Sequence, residues 1–239
     1  MLLRETGQYL FEHTVRNVTA GGALDLVLLA TDDQEVVDAA QAAGVRAVLT
    51  DTAHTSGTDR VHEAYGTLLE EDGKAYDVII NVQGDEPEMA SEDLVKLIEA
   101  FKDPAVEFAT LWTPFTPGQD VQSESAVKVV LDANGDALYF SRSPLPNDSH
   151  RRAVPSDSQI HKRHLGVYAF RPAALARFCS LPHGELEQQE SLEQLRWLEA
   201  GHSLRVLRAS HAACGIDTLD DYRAFVERQK VLLSNPPTP

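Results

Sequence analysis

The 239-residue chain has room for one large α/β domain or two small ones, and 43% hydrophobic with 24% charged residues is the balance of a globular protein with a core. A formal charge of −16 argues against a nucleic-acid backbone or an anionic membrane surface as partner, while a phosphorylated small molecule stays compatible if a cation neutralises it. Cys179 and Cys214 form no Cys-x-x-Cys pair and no apolar run reaches membrane-span length, so a reduced, soluble, cytoplasmic protein is expected.

In chain order, "QYLFEHTVRNVTA" (8–20) has helical spacing, and "LDLVLLAT" (24–31) is a continuous apolar run that reads as a buried parallel strand. "DQEVVDAAQAAG" predicts a helix stopped by Gly44, and "VRAVLT" a short strand. "DRVHEAYGTLLEE" comes next as a helix, "YDVIINV" as a strand, and "SEDLVKLIEAF" as a helix with Ser91 as N-cap. This alternation predicts a mainly parallel sheet flanked by helices.

After residue 104 the pattern changes. "EFATLWTPF", "AVKVVLDANGDALYFSRSPLP" and "HLGVYAFRP" are strand-like, with Asn134-Gly135 as a hairpin turn. "LEQQESLEQLRWLEAG" reads as one helix and "LRVLRA" as a strand. "DTLDDYRAFVERQKVLL" closes the chain as a helix capped by Thr218 or Asp217. A single domain over 1–232 with a β-rich insertion is expected, and 233–239 read as a disordered tail by composition. An α/β domain of this kind normally opens with a strand placed centrally in the sheet, whereas this sequence opens with a loop and a helix.

Ligands bind beyond the carboxyl ends of strands in such sheets, and "NVQGDEP" puts Gln83, Gly84, Asp85 and Glu86 at one of them. Two or so carboxylate oxygens suit a hard divalent cation that keeps waters and substrate phosphates as its other ligands. Asp217 of "GIDT" also comes after a strand, and reads equally as a second metal ligand and as a helix N-cap. "HTSGTDRVHEA" sets hydroxyls and a glycine before a helix, which suits an anion; taken alone, a capping box on Thr58 is the simpler reading. Arg142, His164, Tyr168, Glu193 and Gln194 read singly as surface or structural residues, and "HKRH" has no metal-ligand pattern. The absence of G-x-S-x-G, H-E-x-x-H, Walker A and G-x-G-x-x-G withdraws support from the corresponding hydrolase, protease and dinucleotide readings. What remains is a sugar- or nucleotide-handling α/β enzyme with one metal site.

Taken together and in order, "SGTDR", "NVQGDEP", "VKVV…ALYFSRSPLP", "HLGVYAFR", "SLEQLRWLEAG" and "GIDTLDD" resemble the 3-deoxy-manno-octulosonate (Kdo) cytidylyltransferases over about residues 1–230. The resemblance implies a nucleotide-diphospho-sugar transferase type of α/β fold, a homodimer formed through the β-rich region, Mg²⁺ as cofactor, and CTP and Kdo as substrates for lipopolysaccharide synthesis. It implies Asp85 and Asp217 as magnesium ligands, and Ser56, Arg60 and Gln83 on the nucleotide side. Arg142, His164, Tyr168, Glu193 and Gln194 would surround the sugar, Arg142 and His164 facing its carboxylate. Members of that family begin with a strand and a basic loop resembling P-A-R-x-x-S-x-R-L-P-x-K, and "MLLRETGQYLFEHT" matches their segment immediately after that loop. A misassigned start codon or a shortened, inactive relative is therefore expected, with the short chain by itself loosely folded and inactive. A non-catalytic sugar- or nucleotide-binding remnant and a CMP-sialic-acid-type synthetase are the alternative readings.

Overall fold

In a computed structural model of the chain, the described residues are 2–116, 118–147, 160–211, 215–216 and 218–234. Asp217, Cys214 and the tail from residue 235 lie outside them.

The first half adopts the predicted alternation. Helix α1 (Leu10–Thr19) leads to strand β1 (Leu29–Thr31), helix α2 (Gln34–Ala42), strand β2 (Ala47–Leu49), helix α3 (Gly57–Asp72), strand β3 (Ile79–Asn81) and helix α4 (Ser91–Ala100). Asp33 caps α2 by accepting from the Glu35 N–H. Gly44 comes after that helix at φ +75°, the left-handed conformation that ends helices at glycine. Ser91 is the first helical residue of α4 rather than its cap; Ala90 holds the cap position and makes no side-chain bond there. The cap of α3 is Ser56, whose hydroxyl accepts from the Asp59 N–H, so Thr58 lies inside the helix and its side chain is released for other work.

The second half is β-rich. Strands β4 (Phe108–Pro114), β5 (Lys128–Leu131), β6 (Ala137–Ser141) and β7 (Lys162–Phe170) precede helices α5 (Pro172–Ser180), α6 (Glu185–Glu190) and α7 (Gln194–Glu199), strand β8 (Arg205–Arg208) and helix α8 (Leu219–Ser234). Gly135, at φ +86°, makes the β5–β6 hairpin at the expected Asn-Gly pair. The single helix expected over 186–201 is instead two, because Ser191 adopts the left-handed conformation (φ 51°) and the Leu192 N–H turns back to the Glu187 carbonyl. Bidentate Arg196–Glu187 contacts of 2.9 and 2.6 Å, both side chains buried, tie the two short helices together.

The expected mainly parallel sheet is in fact mixed. β4 and β8 pair parallel, but β7 pairs antiparallel with β4, β5 and β3. Alternation along β7 sends Leu165, Val167 and Ala169 towards α4 with Leu94 and Leu97, and Tyr168 and Phe170 to the opposite face with Phe108, Phe178 and Trp197. Each fully buried large apolar side chain contributes about 1.5–3 kcal/mol, so both covered faces hold the sheet.

Strands β1 and β2 form a separate parallel pair that shares no ladder with the six-stranded sheet among the described residues. Between β1 and β3 lies a cavity of about 500 Å³, lined by Val27, Leu29, Val61, Ile80, Val82 and Leu94. None of the helices, among the described residues, is long and apolar enough to cross a membrane.

Candidate active site

The site gathers where β3 ends against β7. Between the Thr110–Tyr168 and Leu111–Leu165 pairs, Gly166 and Val167 of β7 have no ladder partner on β4. A bulge of this kind bends the strand and re-aims its side chains. The Thr110 hydroxyl takes up freed carbonyls, donating to Val167 at 2.7 Å with Leu165 at 3.2 Å. With the Thr110 proton so directed, Nε2 of His164, 2.9 Å away, is the donor between the two side chains. His164 is packed between Phe140 and Tyr168, and burial holds its pKa down at about 3. Burial thus favours the neutral, hydrogen-bonding ring.

Gln83 lies over this bulge. A Cβ on Gly166 would stand 4.0 Å from its Cγ, and a Cβ on Gly57 would meet its amide nitrogen at 3.3 Å. Glycine at 57 thus lets the Gln83 amide approach the N-terminus of α3. On the same floor Asn81 donates to the Thr58 hydroxyl at 3.3 Å, and that hydroxyl donates to Oε1 of Glu193 at 2.7 Å. Tyr168, its phenol pushed well above the ordinary range by burial, donates to Oε1 of Gln194 at 3.0 Å.

The break at Ser191 re-aims the chain, so that α7 starts in a new direction with Glu193 at its N-cap and Gln194 as its first residue. Two polar atoms are left over. Oε2 of Glu193 and Nε2 of Gln194 are buried and have no partner among the described residues. Glu193 as a residue is half-buried, but its carboxyl end is enclosed, and burial raises its pKa against the lowering effect of the Thr58 and Ser56 hydroxyls. An enclosed acceptor beside an enclosed donor costs about 1–3 kcal/mol each unless a ligand satisfies them. Polyhydroxylated ligands do so naturally.

The remaining candidates stand around this floor. Arg142 lies just beyond β6 and is tied to the Ser191 turn, its Nε donating to the Glu190 carbonyl at 2.8 Å. Arg60 is engaged elsewhere, with Nη1 on the Thr50 hydroxyl at 2.6 Å and Nη2 on Asp32 at 2.9 Å. Ser56 is engaged as the α3 cap and donates to Asp59 at 2.8 Å. Asp85 lies beyond β3, where its carbonyl accepts the Ile216 N–H at 2.9 Å. That bond carries the backbone immediately before Asp217 to the side of Asp85. The capping of α8 falls to Thr218, whose hydroxyl accepts the Asp221 N–H at 3.1 Å. Among the described residues no three His, Cys, Asp or Glu side chains gather as a metal-ligand group. The Asp85 carboxylate is a hard oxygen donor of the type that suits a magnesium ion retaining waters and phosphate oxygens.

Sequence reasoning missed Thr58, Asn81 and Thr110 as parts of the site. Only their nearness to glycine and to strand ends could have marked them. Cys179, a free thiol beside α3 with its pKa pushed up to about 12 chiefly by burial, is chemically quiet.

An α/β fold with a polar floor at its strand ends is that of a nucleotidyltransferase, the class to which the comparisons assign the chain. Residues 2–205 match the family model described as cytidylyltransferase. The 3-deoxy-manno-octulosonate cytidylyltransferase of Anaeromyxobacter sp. (strain Fw109-5) is 44% identical over 231 residues, covering 97% of this chain and 88% of that protein. The protein of the same name from Phocaeicola vulgatus is 41% identical, covering 87% and 84%. The solved CMP:2-keto-3-deoxy-manno-octonic acid synthetase complexed with CTP superposes with a TM-score of 0.80 at 34% identity, covering 98% of this chain and 90% of that one. The 4-diphosphocytidyl-2C-methyl-D-erythritol synthase of Anaerococcus prevotii, 14% identical with a TM-score of 0.57, shares the fold. The chain belongs to the cytidylyltransferase family.

Proposed function

We propose that this enzyme transfers CMP from CTP to the anomeric hydroxyl of 3-deoxy-D-manno-octulosonate, releasing pyrophosphate. The observation that carries the sugar half is the enclosed pair of unsatisfied atoms, Glu193 Oε2 and Gln194 Nε2, beside Tyr168 and His164. They offer one acceptor and one donor to adjacent hydroxyls. Arg142 supplies the positive charge that an acidic sugar requires. CTP would lie along the end of β3, with the Gln83 amide reading the base edge and the N-terminus of α3 (Ser56, Gly57) facing its polar groups. Arg60 would act through Asp32 and Thr50, bracing the ends of β1 and β2 against α3.

Asp85 and Asp217 would hold Mg²⁺, which when bound neutralises phosphate charge and orients the α-phosphate. The protein's own part is placement: the sugar hydroxyl in line with the phosphate, and pyrophosphate directed away from the acidic surface. A cytoplasmic homodimer serving lipopolysaccharide synthesis is part of this reading. Pyrophosphate release should require CTP, Kdo and magnesium together, with N-acetylneuraminate a poor replacement for Kdo. Equal turnover with N-acetylneuraminate would move the enzyme to the CMP-sialic-acid class. Binding of CTP or Kdo without any turnover, in protein that melts cooperatively, would favour the non-catalytic reading.

A further inference from the structure

Two residues outside the site grip Arg142 from opposite sides, and from their geometry we infer that Lys128 and Glu190 are positioning residues that fix how the enzyme presents Arg142 to an acidic sugar. Lys128, the first residue of β5, is wholly buried. Its ammonium faces no carboxylate at ion-pair distance among the described residues. All three of its protons go to carbonyls: Ser123 at 2.9 Å, Ala126 at 2.7 Å and Arg142 at 2.5 Å. A buried strand position is an expensive place for a lysine, since burial opposes its charge. An apolar residue would pack there more cheaply but would take this donor from all three carbonyls, of which Ser123 keeps the Ala126 N–H at 3.2 Å.

Glu190, at the end of α6, works on the other side. Its Oε1 accepts the Ser141 hydroxyl at 2.6 Å and its Oε2 accepts the Arg142 N–H at 2.9 Å. Residue 142 is therefore held at its N–H by an anion and at its carbonyl by a cation. Its guanidinium then returns to the Glu190, Glu124 and Ser191 carbonyls at 2.8, 2.9 and 3.3 Å. Among the described residues three of its five N–H groups have partners, which leaves two for a ligand. The same contacts secure the Ser191 turn that delivers Glu193 and Gln194. One clamp thus sets the cation and the hydroxyl-binding pair relative to each other.

This inference rests on the sugar-site reading above, and the test separates the two. Glu190→Gln keeps the volume but turns an N–H group towards the Arg142 N–H or the Ser141 hydroxyl. It should raise the KM for Kdo by about tenfold, the usual scale for a charge-assisted hydrogen bond, and leave the KM for CTP within about twofold. Amide exchange at Arg142 should quicken, a readout independent of turnover. Because the effect passes through Arg142, adding Glu190→Gln to Arg142→Ala should cost little more than Arg142→Ala alone. Lys128→Met should act in the same direction if it folds, and the Glu190 variant decides the matter if it does not. Arg142→Ala with an unchanged Kdo KM would defeat the sugar-site reading and this inference together. A raised Kdo KM in Arg142→Ala, with none in Glu190→Gln or with additive losses in the double variant, would overturn the clamp alone.

Discussion

The two halves of the molecule are held together in different ways. Around β4–β8, every strand has a ladder partner within one sheet, aromatic rings fill one face, and buried charged groups lock the connections: Arg196 on Glu187, Lys128 on three carbonyls. Around β1 and β2 a two-stranded pair stands apart, with a cavity between it and β3 that is apolar in larger part but also bordered by Arg60, Asn81 and Gln83. The β4–β8 side is therefore built as a fixed template, and the β1–β2 side rests on helix contacts and on the Arg60 brace. Two-stranded sheets are marginal alone, so the difference is one of stability as well as shape.

The largest effect should come at the junction of the halves. Asp85→Asn removes one of two anionic ligands from the proposed magnesium site, and a loss of several kcal/mol in phosphate stabilisation corresponds to a fall in kcat/KM of about a hundredfold or more. Circular dichroism should be unchanged. Near-normal turnover at ordinary magnesium would remove Asp85 from the metal site.

Next in size is the buried ion pair of the template. Among the described residues, Arg196→Met leaves the buried Glu187 with only the His183 ring at 3.1 Å and the Gly184 N–H at 3.2 Å, and breaking such a pair costs about 3–5 kcal/mol. A chain of this length should melt roughly ten degrees lower. A change of a degree or two would show that Glu187 finds another partner and that the α6–α7 junction is not rigid.

Acid should weaken the template in a defined window. His164 has its pKa lowered from 6.5 to about 3 by burial, so the unfolded chain binds the extra proton first. The stability it contributes is complete above 6.5 and declines as pH falls towards 3, by about 1.4 kcal/mol per pH unit. His13, also lowered chiefly by burial, adds in the same direction. Glu193, raised by burial, opposes them, because its protonation favours the folded state as pH falls. Urea midpoints measured between pH 7 and 4 should fall, and His164→Asn should flatten the slope. An unchanged slope in that variant would mean the ring is accessible to protons in the folded state.

The smallest perturbation is exchange of amide hydrogens in the intact protein. Amides of β1 and β2 should exchange by local opening about a hundredfold or more faster than those of β4 and β7. Equal protection would erase the contrast between the halves.

The sequence is most legible where the signal is local. The α1–α4 alternation, Gly44 as a helix stop and the Asn134-Gly135 hairpin arise from periodicity and turn chemistry, which act over a few residues. The break at Ser191 is not legible, since a Glu-, Gln- and Leu-rich run has helical propensity throughout and only tertiary contacts pay for a left-handed serine. Helix α5 escapes notice because Arg171-Pro172 reads as the end of a strand. The antiparallel pairing of β3 with β7 joins residues almost ninety positions apart, beyond any local pattern. Of the site, Gln83 and Asp85 stand out as polar residues at an apolar strand's end. Glu193 and Gln194 read singly as an exposed helix face, and the family resemblance alone brings them to the sugar. Lys128 gives no signal, because charge in a strand ordinarily marks the solvent side.

The central claim is that the template side receives the sugar acid and the β3 end receives the nucleotide, so that one new bond joins them. Its most direct test is the product itself. Kdo labelled with ¹³C at its anomeric carbon, incubated with the enzyme, CTP and magnesium, should give a ¹³C signal split by one ³¹P nucleus, with pyrophosphate in equal amount. Pyrophosphate released without that coupling, or a coupling at any other carbon of the sugar, would contradict the account.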